Sequence, residues 1–262
     1  MKRSLCILLC LLLQLMSVHA ESYVVLSGAD NTIVEEKNKD EKQSVASISK
    51  IMTAVIAIEH GQLDESFAVD DEINKAYGSS VYLKQGQQVT MRDLLYGLML
   101  RSGNDAAVEI AKHVAGSQEA FVELMNRKAA EIGMSNTTFS NPSGLDEEDG
   151  GNISTANDMA VLMSYAMKNK EFRTITGSKY YTTDWNMRWK NKNRLLFDYP
   201  FTVGGKTGFT KKAGRCLVSA ATRDGATLIC VTLHCYDDWR VHKDLMDYGF
   251  GTIPRCFRRW MW

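Results

Sequence analysis

Residues 203–234 read VGGKTGFTKKAGRCLVSAATRDGATLICVTLH, and this stretch decides the fold. Runs 203–210, 215–222 and 227–234 are rich in Val, Thr, Ile and Leu and are bounded by Gly-containing breaks, as strands are. Asp224-Gly225 is a two-residue hairpin signal between the second and third runs. With that turn, Arg223 faces Ala226, Cys216 opposes Leu233 and Ser219 opposes Cys230. Cys216 and Cys230 then point to opposite faces, which argues against a bridge between them. At the other chain end, Tyr23-Val24-Val25-Leu26 and Thr32-Ile33-Val34 flank an Asp30-Asn31 turn and predict a second hairpin. Between these ends lie helical patterns at 48–60, 91–100, 106–114, 118–132 and 155–167, and a closing helix is predicted at 239–248. The pattern predicts an α/β fold of the α+β type. An antiparallel sheet is built from both chain ends and flanked by helices, with a helical subdomain.

The chain has 262 residues, with 31 basic and 31 acidic side chains, and nothing in this balance points to nucleic acid. Met1-Lys2-Arg3, an apolar run from Leu5 to Met16 and Val18-His19-Ala20 have the form of a secretory signal peptide cleaved after Ala20. The expectation is an exported, extracytoplasmic protein whose residues 21–262 form one domain, with no separate C-terminal β domain. Of the cysteines beyond the leader, Cys235 and Cys256 remain a possible disulfide. Cys230, His234 and Cys235 lack a fourth ligand and standard zinc spacing, so no metal site is expected.

Three short motifs carry chemistry. Ser47-Ile48-Ser49-Lys50 opens the first helical pattern, and residues three apart share a helix face. Lys50 can therefore reach the Ser47 hydroxyl and act as its base, provided that its pKa is lowered. Burial among Ile51, Met52 and Val55 and the nearby cation Lys206 are the expected causes. Ser102-Gly103-Asn104 breaks the helical block: Ser102 is placed to relay a proton and Asn104 to hold a substrate amide. In Lys206-Thr207-Gly208, Lys206 and Thr207 can bind a carboxylate. Gly208 lets a substrate backbone approach the strand. Histidine is a poor candidate base, since none lies in a nucleophile motif, and His60 reads as the end of a helix.

The ordered set of three motifs, with flanks ASISKIMTA at 46–54, LMLRSGNDAA at 98–107, NPSGLD at 141–146, STANDMA at 154–160 and NKN at 191–193, resembles the serine-type D-alanyl-D-alanine carboxypeptidases. These are the low-molecular-mass penicillin-binding proteins of peptidase family S11. The resemblance implies a β-lactamase/DD-peptidase-like fold, no cofactor and a part in cell-wall biogenesis and cell shape. It implies removal of the terminal D-alanine from peptidoglycan stem pentapeptides through a Ser47 acyl-enzyme, with β-lactams as covalent inhibitors. Lys50 would be the base, and Ser102 and Asn104 would assist. Lys206 and Thr207 would hold the terminal carboxylate, and the backbone N–H groups of Ser47 and Phe209 would form the oxyanion hole.

Two features depart from many relatives. Asn152-Ile153 stands where they carry His-Tyr. The chain ends in a tail with Arg255, Arg258 and Arg259 among Phe257, Trp260 and Trp262, suited to weak contact with an anionic membrane surface. Two alternatives follow from the same motifs. One is a class A-like β-lactamase, for which Glu148 and Asn152 have the deacylating spacing. The other is a non-catalytic penicillin-binding sensor.

Overall fold

The computed structural model describes residues 20–146 and 151–252. A five-stranded antiparallel sheet joins the two chain ends. Its strands are β1 (Ala20–Ser27), β2 (Ile33–Lys37), β3 (Thr202–Thr210), β4 (Gly214–Arg223) and β5 (Ala226–Cys235), in the spatial order β2-β1-β5-β4-β3. Asp224-Gly225 sets the register, pairing Arg223 with Ala226 and Ser219 with Cys230 as the hairpin signal predicts. One face packs on the helical block with Cys216, Val218, Ile229 and Val231. The other packs with Leu217, Leu228 and Cys230 under the last helix. Cys216 and Cys230 thus lie on opposite faces, and they and Cys235 are free thiols. His234, at φ 52°, breaks the strand alternation, so Cys235 joins Cys230 on the outer face.

The helical block comprises α1 (Lys50–His60), α2 (Met91–Tyr96), α3 (Asn104–Ala115), α4 (Gln118–Glu131), α5 (Ala156–Ala166) and α6 (Lys170–Gly177), and α7 (Asp238–Thr252) covers the outer face. A 3₁₀ turn, Ala46–Ser49, leads into α1. α1 is apolar on nearly every side because it runs through the centre: Lys50 through Ile58 are all buried. Gly61, at φ 87°, ends it directly after His60. α2 is started by a capping box between Thr90 and Asp93 and passes into a π-turn, Gly97–Arg101. Ser102 then adopts the left-handed conformation, φ 64°, which stops the helix and turns the chain toward the sheet. The expected helix at 91–100 is therefore two pieces. α6 and the ribbon Tyr180–Thr182/Arg188–Lys190 were not expected. Residues 1–19 of the expected leader, Glu148 and the tail from residue 253, with Cys256 and its proposed bridge, lie outside the described residues. No described helix is long and apolar enough to cross a membrane.

Candidate active site

Two strained turns and an edge strand converge. The first turn carries Ser47 and follows Ala46, a buried non-glycine residue at φ 48°. Such a conformation costs about 1–3 kcal/mol and is kept only where the surroundings enforce it. The enforcing contact is Gly144: a Cβ there would lie 2.1 Å from Ala46 O and 2.4 Å from Ser49 Oγ. The second turn carries Ser102. The third element is β3, the free edge of the sheet, with Lys206 and Gly208 facing the Ser47 turn. A Cβ on Gly208 would meet the backbone nitrogens of Ser47 and Ile48, each at 3.1 Å. Glycine thus suits the close approach of the Ser47 turn to this strand.

Lys50 lies at the centre and is fully buried. Its Nζ donates to Ser47 Oγ at 3.1 Å, to Asn104 Oδ1 at 2.6 Å and to the carbonyl of Ser143. Burial drives its pKa down to about 7, with Lys192 adding repulsion and Asp105 opposing it. The depressed lysine matches the sequence reasoning: Lys192 adds to burial at Lys50, and Lys50 and Lys206 also repel each other. A lysine poised near neutrality can exist as the free amine and accept the Ser47 proton.

The other motif residues are engaged within the protein. Lys206, expected to hold a carboxylate, is buried, and its Nζ donates to Ser102 Oγ at 3.0 Å and to the Thr207 carbonyl at 2.7 Å. Burial, with Lys50 and Lys192 nearby, pushes it well below the ordinary lysine range. Ser102, expected to relay a proton, accepts this hydrogen bond from Lys206. Asn104, expected to hold a substrate amide, accepts from Lys50 through Oδ1, and its Nδ2 donates to Tyr77 O at 2.5 Å. Thr207 does line the open cleft, of about 300 Å³, together with Ser47, Ser102, Gly208 and Phe209.

Residues outside the three short motifs complete the site. The Ser143 carbonyl accepts from both Lys50 and Ser47, the latter at 3.4 Å. Asn141 shapes that turn by accepting from Ser143 N and Gly144 N. Asp105 gathers the wall at residues 80–83, accepting from Ser80 Oγ, Val81 N and Leu83 N. Its position directly after Ser-Gly-Asn was the only available signal. The Asn152 side chain holds the turn at Ser140 and Asn141, accepting from Ser140 N and Asn141 N and donating to Asn141 O. A larger cleft of about 420 Å³, near Glu59 and Lys128, contains no candidate nucleophile. Among the described residues no cluster of His, Cys, Asp or Glu is arranged to hold a metal ion.

The comparisons agree with this geometry. The family model described as D-alanyl-D-alanine carboxypeptidase, Peptidase_S11, matches residues 12–236. D-alanyl-D-alanine carboxypeptidase DacF of Bacillus subtilis is 36% identical over 81% of this chain and 56% of its own length. DacC of Escherichia coli is 38% identical over 89% of this chain and 62% of its own length. A crystal structure of D-alanyl-D-alanine carboxypeptidase from Mycobacterium tuberculosis superposes with a TM-score of 0.86 at 33% identity, covering 90% of this chain and 92% of that one. The chain belongs to the S11 family of D-alanyl-D-alanine carboxypeptidases and has the DD-peptidase, β-lactamase-like fold. It spans only about three-fifths of the length of DacF and DacC.

Proposed function

We propose that the protein is a serine D-Ala-D-Ala carboxypeptidase acting outside the cytoplasm on peptidoglycan stem pentapeptides. The observation that carries this reading is Lys50 Nζ, with a pKa near 7, held 3.1 Å from Ser47 Oγ at the base of an open cleft. Lys50 as free amine takes the Ser47 proton, and Oγ attacks the carbonyl of the penultimate D-Ala. The backbone N–H groups of Ser47 and Phe209 receive the oxyanion. Collapse breaks the amide bond, and D-alanine leaves with the proton that Lys50 took from Ser47, passed on through Ser102, which returns Lys50 to the free amine. Water then hydrolyses the Ser47 ester. Asn104 and the Ser143 carbonyl orient Lys50. Thr207 takes the terminal carboxylate, while Lys206 contributes from beneath, through Ser102. β-Lactams acylate Ser47 by the same steps. Residues 1–20 act as the export leader, and the basic-aromatic tail makes at most weak contact with the membrane surface.

The test is D-alanine release from a stem pentapeptide by the purified protein, beside Ser47→Ala. Wild type should release D-alanine, and the variant should lose at least about 10³-fold. No release by folded wild type, or equal release by the variant, overturns the reading. Rapid penicillin turnover would instead identify a β-lactamase.

A further inference from the structure

Lys206 is withdrawn from the cleft, its Nζ engaged with Ser102 and its own neighbour's carbonyl. A substrate carboxylate beside Thr207 then needs a cation from elsewhere. The sheet register supplies one. Arg215 on β4 pairs with Phe209, and Leu217 pairs with Thr207. Paired residues share a sheet face, and side chains two apart lie on the same side. Thr207, Phe209 and Arg215 therefore face one way, with Arg215 the diagonal neighbour of Thr207. All three line the same cleft as Ser47.

The arginine is built into place. Its Nε donates to Asp238 Oδ2 at 3.1 Å and its Nη2 to Asp238 Oδ1 at 2.7 Å. Asp238 is buried at the start of α7, whereas the Arg215 side chain remains 40% exposed. The guanidinium carbon lies 5.6 Å from the centre of the Trp239 ring. A two-bond clamp on one edge and an aromatic neighbour fix the plane of the fork. Nη1 donates to nothing among the described residues. The other cation of the cleft, Lys192, stands on the opposite wall with its Nζ 3.5 Å from Ser79 Oγ.

We infer that Arg215 is a specificity-determining residue whose guanidinium, held by Asp238 and Trp239, binds the C-terminal carboxylate of the substrate together with the Thr207 hydroxyl. This rests on the carboxypeptidase reading above and adds its source of selectivity for a free C-terminus. The experiment compares a pentapeptide ending in D-Ala-D-Ala with the same peptide amidated at its C-terminus, measuring release of D-alanine or D-alaninamide. Wild-type activity on the free acid tests the reading itself. Given that activity, Arg215→Gln should lower kcat/KM on the free acid at least tenfold, mainly through KM. It should leave the amide within about twofold, and Arg215→Lys should restore part of the preference. An unchanged acid-to-amide ratio in Arg215→Gln, or an equal loss on both peptides, overturns the inference. An unchanged ratio would place the recognition elsewhere, whereas an equal loss would make Arg215 structural.

Discussion

Two hydroxyl–nitrogen pairs sit on opposite faces of one sheet. On the inner face, Lys50 Nζ is 3.1 Å from Ser47 Oγ. On the outer face, Ser219 Oγ is 2.6 Å from His242 Nδ1, and His242 Nε2 is 3.0 Å from Thr232 Oγ1. By distance and residue type the second pair looks the better nucleophile and base. Yet Ser219, Thr232 and His242 are each no more than 1% exposed, sealed between the sheet and α7. No substrate carbonyl can reach them. Ser47 instead opens onto the cleft, on a turn whose backbone is pressed against the edge strand. A reactive pair is therefore defined by access and by what surrounds the attacked atom, more than by the pair itself. Burial acts on both bases in the same direction, but the outcomes differ. Lys50 falls to about 7, within its working range, while His242 falls to about 3, out of it.

The largest break in this comparison comes from removing the inner base. Lys50→Gln should lower kcat by about 10²–10⁴-fold, the contribution of a positioned general base. In wild type, kcat/KM should rise with pH through about 7, as Lys50 loses its proton. The same depression affects stability. Between about 7 and the unfolded value of 10.5 the unfolded chain binds the extra proton, so the Lys50 penalty is greatest below about pH 7 and is relieved as pH rises. Urea midpoints of wild type and Lys50→Met at pH 6 and pH 9 check this: the wild type should gain more on going to pH 9.

A smaller break leaves every functional group in place and moves the turn. Gly144→Ala would drive a Cβ into Ala46 O, at a position whose φ is +77°. The turn must shift, and a displacement near 1 Å at the reacting atoms costs about 10²-fold in rate. Penicillin acylation of Ser47 should slow in parallel with D-alanine release. Loss of both with retained secondary structure separates this from unfolding.

How much of this was legible depended on what each part asked of its residues. The sheet was readable because β3, β4 and β5 are long, apolar and divided by an unambiguous turn, so register followed from Asp224-Gly225. Ser47, Lys50, Ser102 and Lys206 were readable because their chemistry requires particular side chains. Ser143 was not, because it acts through a backbone carbonyl that any residue provides. Arg215 and Asp238 are 23 positions apart and meet only when β4 lies under α7. α6 escaped because Thr174, Ile175 and Thr176 are β-branched residues in a single short helix, held by its Asn169 cap and by packing. The same limit applies to partners: sequence places Lys206 and Lys50 in one site, but only the folded contacts show that Lys206 donates to Ser102.

The outer pair offers the smallest catalytic effect and the sharpest control. His242→Ala removes two buried hydrogen bonds and leaves a cavity among Leu245, Met246 and the strand residues, so stability should fall by about 2–4 kcal/mol. D-alanine release by the folded fraction should stay within about twofold of wild type. The pH dependence has a definite sign. His242 is held neutral in the folded chain, with its pKa lowered from 6.5 to about 3, so acid favours the unfolded state, which takes the proton first. Stability from this group is complete above about pH 6.5 and is lost as the pH falls toward 3. His242→Ala should therefore show a shallower fall in urea midpoint between pH 7 and pH 4 than wild type. A change in kcat/KM well beyond twofold would mean that the two faces are coupled through β4, which carries both Ser219 and Arg215. An unchanged kcat/KM with the altered acid response would assign the outer pair to stability alone and leave access as the property that distinguishes the inner one.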